Sequence, residues 1–372
     1  MTDDVYPEPD RVDGAPHPRD TLHLIGQDKA QSEFLSAFTS DRLHHGWMLT
    51  GPRGVGKATL AWAMARFLLA TPVADANDMF GAPPAPTSLR IDPDHPVARR
   101  MAAGSEPGLF VLRRPYDEKT KKLRQQITVD EVRRLKSFFA MSAADGGRRV
   151  VIVDAADELN TSAANALLKL LEEPPARATL LLVSHQPTRL LPTIRSRCRE
   201  VRLGPLNASD MADALAQAGA DANASPQALA QLSGGSVGEA IRLLNLGGVQ
   251  IYTELMALLD TLPRLDRPRA LKLAEAAATR GADDKLDLLI TLLDLALARL
   301  ARTGVTGHPP PEAIANEAAT LSRLAPTAQK GRAWASSAQE ISARLQHGRA
   351  VNLDPAALVL DTFFKIQHIA AG

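Results

Sequence analysis

Hydrophobic positions in the first half of the chain fall into two alternating kinds of segment. Short, nearly continuous apolar runs mark strands: His45-Gly46-Trp47-Met48-Leu49-Thr50, Gly108-Leu109-Phe110-Val111-Leu112, Arg149-Val150-Val151-Ile152-Val153, Thr179-Leu180-Leu181-Leu182-Val183-Ser184 and Arg199-Glu200-Val201-Arg202-Leu203. The runs at 149–153 and 179–184 lack polar alternation, as expected of parallel strands covered on both faces. Between them the apolar residues recur at helical spacing. Leu60, Ala61, Met64, Ala65 and Leu68 predict a helix from Ala58 to Leu69. Thr128, with Glu131 three residues on, predicts the start of a helix running from Val129 to Met141. Leu167, Leu168 and Leu171 stripe a helix from Thr161 to Glu173, which Pro174-Pro175 must end. Strand and helix in alternation predict an α/β doubly wound domain with a parallel sheet.

The strand pattern stops near Pro205. Asn207-Ala208-Ser209-Asp210 opens a short helix and two more follow to about Leu244; from about Val249 to the end the chain is rich in Ala and Leu at helical period. Gly304 to Pro311 reads as a connecting loop. In 286–300, Leu286, Leu289, Leu293, Leu297 and Leu300 share one stripe, and Leu288, Leu292 and Leu295 form a second on roughly the opposite face. Such a helix needs cover on both sides, supplied either by a partner subunit on one side or wholly from within. The predicted organisation is a flexible leader (1–20), an α/β domain (21–205), a small helical domain (206–247) and a larger all-helical domain (248–372).

Gly51-Pro52-Arg53-Gly54-Val55-Gly56-Lys57-Ala58 is a phosphate-binding loop with one position changed. In that pattern glycines turn backbone N–H groups around phosphates, the lysine reaches the β- and γ-phosphates, and a following Ser or Thr ligates Mg²⁺. Gly51, Gly54, Gly56 and Lys57 are present, but the hydroxyl position is Ala58. Thr59 follows, yet one step along a helix turns a side chain about 100° away. The loop lies between a strand and a helix, the setting such a site requires. An occupied site and a vestigial one both remain open.

Asp154 ends the apolar strand 150–153, where a carboxylate helps hold Mg²⁺ or, alternatively, caps the next turn. A glutamate usually follows in hydrolysing members of this broad class; here it is Ala155, with Glu158 three residues further on. Arg197, in Ser196-Arg197-Cys198, is either an arginine with a task or one of several solvated ones.

Composition narrows the picture. The chain has 372 residues, enough for two or three domains, and a net charge of +1, so nucleic-acid contact would need a local basic patch. Arg113-Arg114, Lys119 to Arg124, and Arg133, Arg134 and Lys136 on the Val129 helix are candidates, and equally are ordinary solvated charge. The single cysteine, Cys198, permits no disulfide within the chain and fits a reducing compartment. No apolar run approaches the ~18 residues of a membrane span.

Longer matches then accumulate in order. Leu24-Ile25-Gly26-Gln27, Arg42-Leu43-His44-His45-Gly46-Trp47, Asn165-Ala166-Leu167-Leu168-Lys169-Leu170-Leu171-Glu172-Glu173-Pro174-Pro175 and Ser196-Arg197-Cys198 together resemble the clamp-loader branch of the AAA+ ATPases. Val351-Asn352-Leu353-Asp354-Pro355-Ala356 resembles the tail of a collar domain in that family. The resemblance implies a AAA+ P-loop NTPase domain, a small helical lid and an all-helical collar that oligomerises. It implies ATP with Mg²⁺ as cofactor, motor and delta-like subunits as partners, indirect contact with a sliding clamp, and primer–template DNA passing through the ring. It also implies a cytoplasmic place in a bacterial replisome, as part of a DNA-directed DNA polymerase (nucleotidyltransferase) holoenzyme.

Ala58, Ala155 and Gly238, the last standing where motor subunits carry a sensor arginine, set the chain apart from the ATP-hydrolysing members. The matching Arg197 implies an arginine finger offered to a neighbour's ATP. The alternatives are an ATP-hydrolysing motor of the same family, against which these three positions argue, and a plain DNA-binding module, against which the net charge argues. Relatives often carry four cysteines as a zinc site after the first helix; here the stretch from Thr71 to Ser105 has none, and His95 alone cannot build one. No zinc is expected, and this Pro-rich stretch is expected to be a surface excursion.

Overall fold

A computed structural model describes residues 8–71, 85–140, 147–220, 225–279 and 283–371. Its contacts divide the chain into two units, Met1–Leu206 with Ser236–Gly238, and Asn207–Gly235 with Glu239–Gly372.

In chain order the first unit contains α1 (Asp28–Thr39), β1 (Gly46–Thr50), α2 (Lys57–Ala70), α3 (Pro96–Ala102), β2 (Leu109–Arg113), β3 (Tyr116–Asp117), β4 (Lys122–Leu123), α4 (Val129–Ala140), β5 (Arg149–Asp154), α5 (Thr161–Glu172), β6 (Ala178–Ser184), α6 (Pro192–Arg195) and β7 (Arg199–Arg202). The expected last residue of α4, Met141, lies outside the described residues. Five strands pair in the order β2-β5-β6-β1-β7, parallel throughout. Every residue of β1, β5 and β6 is buried, which accounts for their lack of polar alternation. Burying each Val, Leu or Ile side chain there contributes roughly 1.5–3 kcal/mol. One face of the sheet is covered by α4 and α5, whose Val132, Leu135, Leu167 and Leu171 pack with Leu180 and Leu182.

Helix α2 buries ten consecutive or near-consecutive positions, from Lys57 and Leu60 through Leu68, including Arg66. A helix apolar all round needs cover on every side. Part of that cover is the segment expected to be a flexible leader. Residues 8–20 are docked: His17 is buried and sits edge-on to Trp62 with ring centroids 5.7 Å apart, and Arg66 Nη2 donates to Arg19 O at 2.6 Å. The Pro-rich stretch after α2 is likewise more than an excursion where it is described. Val97, Ala98 and Met101 of α3 are buried, and His95 accepts from Val97 N at 3.2 Å as the helix cap.

The second unit is helical in its described residues: α7 (Ala208–Gln217), α8 (Pro226–Leu232), α9 (Val237–Leu246, whose first two residues group with the first unit), α10 (Gly248–Asp260), α11 (Arg267–Ala277), α12 (Asp283–Thr306), α13 (Glu317–Leu324), α14 (Ala328–Ala350) and α15 (Pro355–Ala371). Helix α12 packs on α10, α11, α13 and above all α14. Both of its leucine stripes are covered from inside the chain. Leu286, Leu289, Leu293, Leu297 and Leu300 are buried, and so are Leu288 and Leu292, with Leu295 half-buried. A partner subunit is therefore not needed to cover this helix. A buried polar network ties α10, α12 and α13: Tyr252 Oη donates to Glu317 at 2.6 Å, Arg299 donates to both oxygens of Glu317 at 2.6 and 3.0 Å, and Ala313 N donates to Glu317 at 2.6 Å.

Candidate nucleotide site and Arg197

The chain leaves β1 at Thr50 and turns through the glycine loop into α2, so the loop lies at the carboxyl edge of the sheet. Gly51 has φ 137°, and a Cβ there would lie 2.3 Å from Leu203 O. At Gly54, with φ 73°, a Cβ would lie 2.2 Å from Ser236 Oγ. Both turns demand glycine for conformation and for space. Gly56 is the left-handed residue that starts α2. Gln27 braces the loop from behind, donating to Val55 O and Gly204 O at 3.2 and 2.8 Å.

Two features set this loop apart from a freely open one. Lys57 is buried, and its Nζ donates to Gly51 O at 2.7 Å and to Pro52 O. Burial holds its pKa down to about 8, partly offset by Asp154 and Asp157. The ammonium must release the loop's own carbonyls to reach a phosphate. Second, Val237 N and Gly238 N donate to Gly54 O at 2.9 and 3.3 Å, so residues 236–238 are laced to the loop tip.

Asp154 ends β5, in register with Arg113 of β2. Burial pushes its carboxyl up to about 7, reinforced by Asp10 and Glu158 and opposed by Lys57 and Arg113. Glu158 is no substitute for a water-polarising base, because it is held by Arg114 at 2.8 Å and Arg53 at 3.4 Å. Ala58 remains without a hydroxyl. The donor set thus offers a cation and a carboxylate for nucleotide and Mg²⁺, but not the usual metal ligand.

Several residues of this site carry no motif in the sequence. Glu8 accepts from Arg113 at 2.9 Å and Arg19 at 3.2 Å, and Asp10 accepts from Arg113 at 3.0 Å with His17 Nε2 3.1 Å away. Burial acts to raise the Asp10 carboxyl, but His17 and Arg113 hold it net below the ordinary value. Val12 Cγ2 lies 3.4 Å from where a Cβ on Gly238 would sit. Residues 10–12 therefore run from the Arg113–Asp154 corner to the loop tip. His185 follows β6; its N donates to Asp157 at 2.9 Å, and burial, Lys57 and Arg53 together push its ring down to about 4. Ser184 Oγ and His185 Nδ1 are buried without a partner among the described residues, which suits a polar ligand at this edge. The only sequence signal for Ser184 and His185 is their place at the end of β6, and Glu8, Asp10 and His17 precede α1 with no strand among the described residues to mark them.

Arg197 stands elsewhere. It follows α6, and Gly46, the first residue of β1, is close enough that a Cβ there would lie 3.1 Å from Arg197 O. The phosphate loop leaves the other end of β1, about 13 Å away at the ~3.3 Å rise of a parallel strand. The guanidinium is partly exposed, donates from Nη1 to Thr193 O at 3.1 Å, and pairs through Nη2 with Glu172 at 3.0 Å. Cys198 beside it is unreactive in character, since burial pushes its thiol up to about 12.

Of the basic residues on α4, Arg133 pairs with Asp130 at 2.9 Å, and Arg134 pairs with Glu131 at 2.8 Å while lying over the Phe110 ring. Lys136 is exposed. Two of the three cations are thus matched by acids of their own helix. Lys119, Lys121, Lys122 and Arg124 are exposed on and beside the β3–β4 hairpin.

Residues 26–207 match the family model described as DNA polymerase III, delta subunit. DNA polymerase III subunit delta' of Pseudomonas aeruginosa is 41% identical over 204 residues, 55% of this chain and 56% of that one. The delta' subunit of Escherichia coli is 33% identical over 173 residues, 46% of each. Subunit tau of Salmonella typhimurium is 27% identical over 281 residues, 73% of this chain and 40% of that one. The chain spans about half the length of the delta' relatives it matches. Among solved structures, a gamma-subunit-related protein of Thermotoga maritima covers 91% of this chain and 99% of its own at 16% identity and a TM-score of 0.38. The RuvB Holliday junction branch migration motor of the same organism covers 84% and 89% at 17% identity and a TM-score of 0.39.

Over residues 26–207, about half of its length, the chain is similar to the DNA polymerase III delta subunit family. Within that family its resemblance is to the delta-prime subunit of bacterial DNA polymerase III.

Proposed function

We propose that the chain works as a delta-prime-like subunit of a DNA polymerase III clamp loader. In this role it takes part in ATP-driven loading of a sliding clamp onto primed DNA in the bacterial cytoplasm. It hydrolyses little or no ATP itself and offers Arg197 to nucleotide held by a neighbouring motor subunit. Residues 206–247 act as the lid and residues 248–372 as the collar through which subunits associate. ATP with Mg²⁺ remains a candidate ligand of Gly51, Gly54, Gly56, Lys57 and Asp154, and Arg133, Arg134 and Lys136 are candidate contacts to primer–template DNA.

The observation that carries the proposal is the placement of Arg197. It lies at the amino end of β1, while the chain's own phosphate loop leaves the carboxyl end. An arginine whose backbone meets the amino end of β1, a strand that runs about 13 Å to the chain's own phosphate loop, with guanidinium N–H groups left over, suits a phosphate on another subunit. The missing hydroxyl at Ala58, the carbonyl-bound Lys57 and the doubly paired Glu158 support the low activity assigned to the chain's own site.

The test is Arg197→Ala and Arg197→Lys in the complex reconstituted with motor and delta-like subunits. An arginine finger is worth ~10³–10⁵ in rate at one site, diluted in a ring with several. Both variants are expected to assemble normally yet slow single-turnover ATP hydrolysis about tenfold or more at the affected interface, and to slow clamp loading. Lysine should fail because a point charge does not reproduce the planar fork. Wild-type rates from an assembled Arg197→Ala complex would remove the finger from the proposal.

A further inference from the structure

Three segments separated in sequence meet at the amino end of β1: the His44-His45-Gly46 lead-in, the Leu171-Glu172-Glu173-Pro174-Pro175 end of α5, and Ser196-Arg197-Cys198. His45 Nε2 lies 2.9 Å from Leu171 O. A Cβ on Gly46 would lie 2.9 Å from Leu171 Cδ2, 3.1 Å from Arg197 O and 3.3 Å from Cys198 Sγ. The glycine is what lets the end of α5 and the backbone of Arg197 close on the same point. Across this junction Glu172, the last residue of α5, reaches Arg197 Nη2 at 3.0 Å.

Two considerations say that this carboxylate is not there for stability. The carboxyl end of a helix carries the negative pole of the macrodipole, so Glu172 and Glu173 stand where acids are unfavourable. The ion pair is also partly exposed on both sides, where such pairs contribute little. What the pair does is fix a side chain with many rotamers. Arginine has five N–H donors. With Nη1 donating to Thr193 O and Nη2 in an ion pair with Glu172, the guanidinium is held at both Nη ends and N–H donors remain for an incoming group.

We propose that Glu172 is a positioning residue for Arg197, holding the guanidinium pre-oriented toward the phosphate of a neighbouring subunit. This rests on the assignment of Arg197 as the finger. Glu172→Gln leaves the finger in place and removes the charged anchor. Glu173→Gln removes a charge from the same helix end without touching Arg197.

The experiment compares wild type, Glu172→Gln, Glu173→Gln, Arg197→Ala and the Glu172→Gln/Arg197→Ala double variant in the reconstituted complex. It reads single-turnover hydrolysis, the kcat and KM for ATP, and the thermal midpoint of each purified chain. Misplacement of a reacting group by ~1 Å costs up to ~10²-fold in rate. The expected result for Glu172→Gln is a fall in kcat of about tenfold, with KM unchanged and a midpoint equal to or above that of wild type. Glu173→Gln should match wild type, and adding Glu172→Gln to Arg197→Ala should have no further effect. Wild-type kcat in Glu172→Gln beside a slow Arg197→Ala would overturn the positioning role and leave the finger standing. The positioning role also falls, with the finger intact, if Glu172→Gln slows the Arg197→Ala background as much as it slows wild type, or if Glu173→Gln is equally slow. A wild-type rate in Arg197→Ala would overturn the finger and the positioning role together.

Discussion

Asp154 has an ordinary value of 3.8 and is raised to about 7 by burial, with Asp10 and Glu158 adding to the shift. Between those two values the folded protein holds a proton that the unfolded chain has lost. This group's contribution therefore becomes steadily less favourable as pH rises from about 4 to 7, and is fully unfavourable above. Asp154→Asn should raise the unfolding midpoint at pH 8 by at least about 2 °C and change it little at pH 4, measured by calorimetry at both pH values; an equal shift at the two would contradict the assignment. The isolated chain should also turn over ATP far below the ~1 s⁻¹ of ordinary enzymes, because positioning and electrostatics make up almost all of phosphoryl-transfer catalysis. Mg²⁺-dependent turnover near that rate, abolished by Lys57→Ala, would overturn this. At this scale the loop glycines, Lys57, Asp154 and Arg197 are legible in the sequence because each sits in a short contiguous motif. Arg113 and Asp10 are not, since they are 103 positions apart and only the fold brings them together. Nor is His185, which no local pattern marks.

Among the elements, the five strands are legible because parallel strands covered on both faces leave continuous apolar runs. The β3–β4 hairpin and α3 are too short for periodicity to register. Gly304 does not begin a loop, as its residue type suggests, because α12 continues to Thr306. Its purpose is packing: a Cβ there would lie 2.6 Å from Gly331 Cα, so α12 and α14 touch backbone to backbone. A Cβ on Gly331 would likewise meet Val305 N at 2.7 Å and Ala301 O at 2.8 Å. Alanine gains about 1 kcal/mol over glycine within a helix, but here the neighbour is rigid backbone, and overpacking typically costs about 1–3 kcal/mol. Gly331→Ala should therefore be net destabilising, lowering the urea midpoint of the helical unit. A stabilised variant would show that the two helices can separate at no cost.

At the scale of the whole chain, Gly248 marks a continuous seam rather than a boundary. A Cβ there would lie 2.4 Å from Leu243 Cδ2 and 3.2 Å from Leu288 Cδ2, so α9, α10 and α12 pack as one body. A chain ending at Gly247 should keep a folded α/β unit while α7–α9 lose their cover. It should also fail to co-purify with its partner subunits. Co-purification as tight as that of the full chain would remove the collar role. No helix in the described residues is long and apolar enough to cross a membrane.

β1 carries the phosphate loop at one end and the Gly46 junction beneath Arg197 at the other, with all five residues buried and parallel partners on both sides. Its amides are shielded from solvent except through opening of the entire α/β unit, the slowest class of hydrogen exchange. Deuterium uptake across Trp47–Thr50 is thus an internal reference clock. Altered uptake at the loop or around Arg197, with that clock unchanged, reports a local event; when the clock quickens as well, the substitution has weakened the unit as a whole.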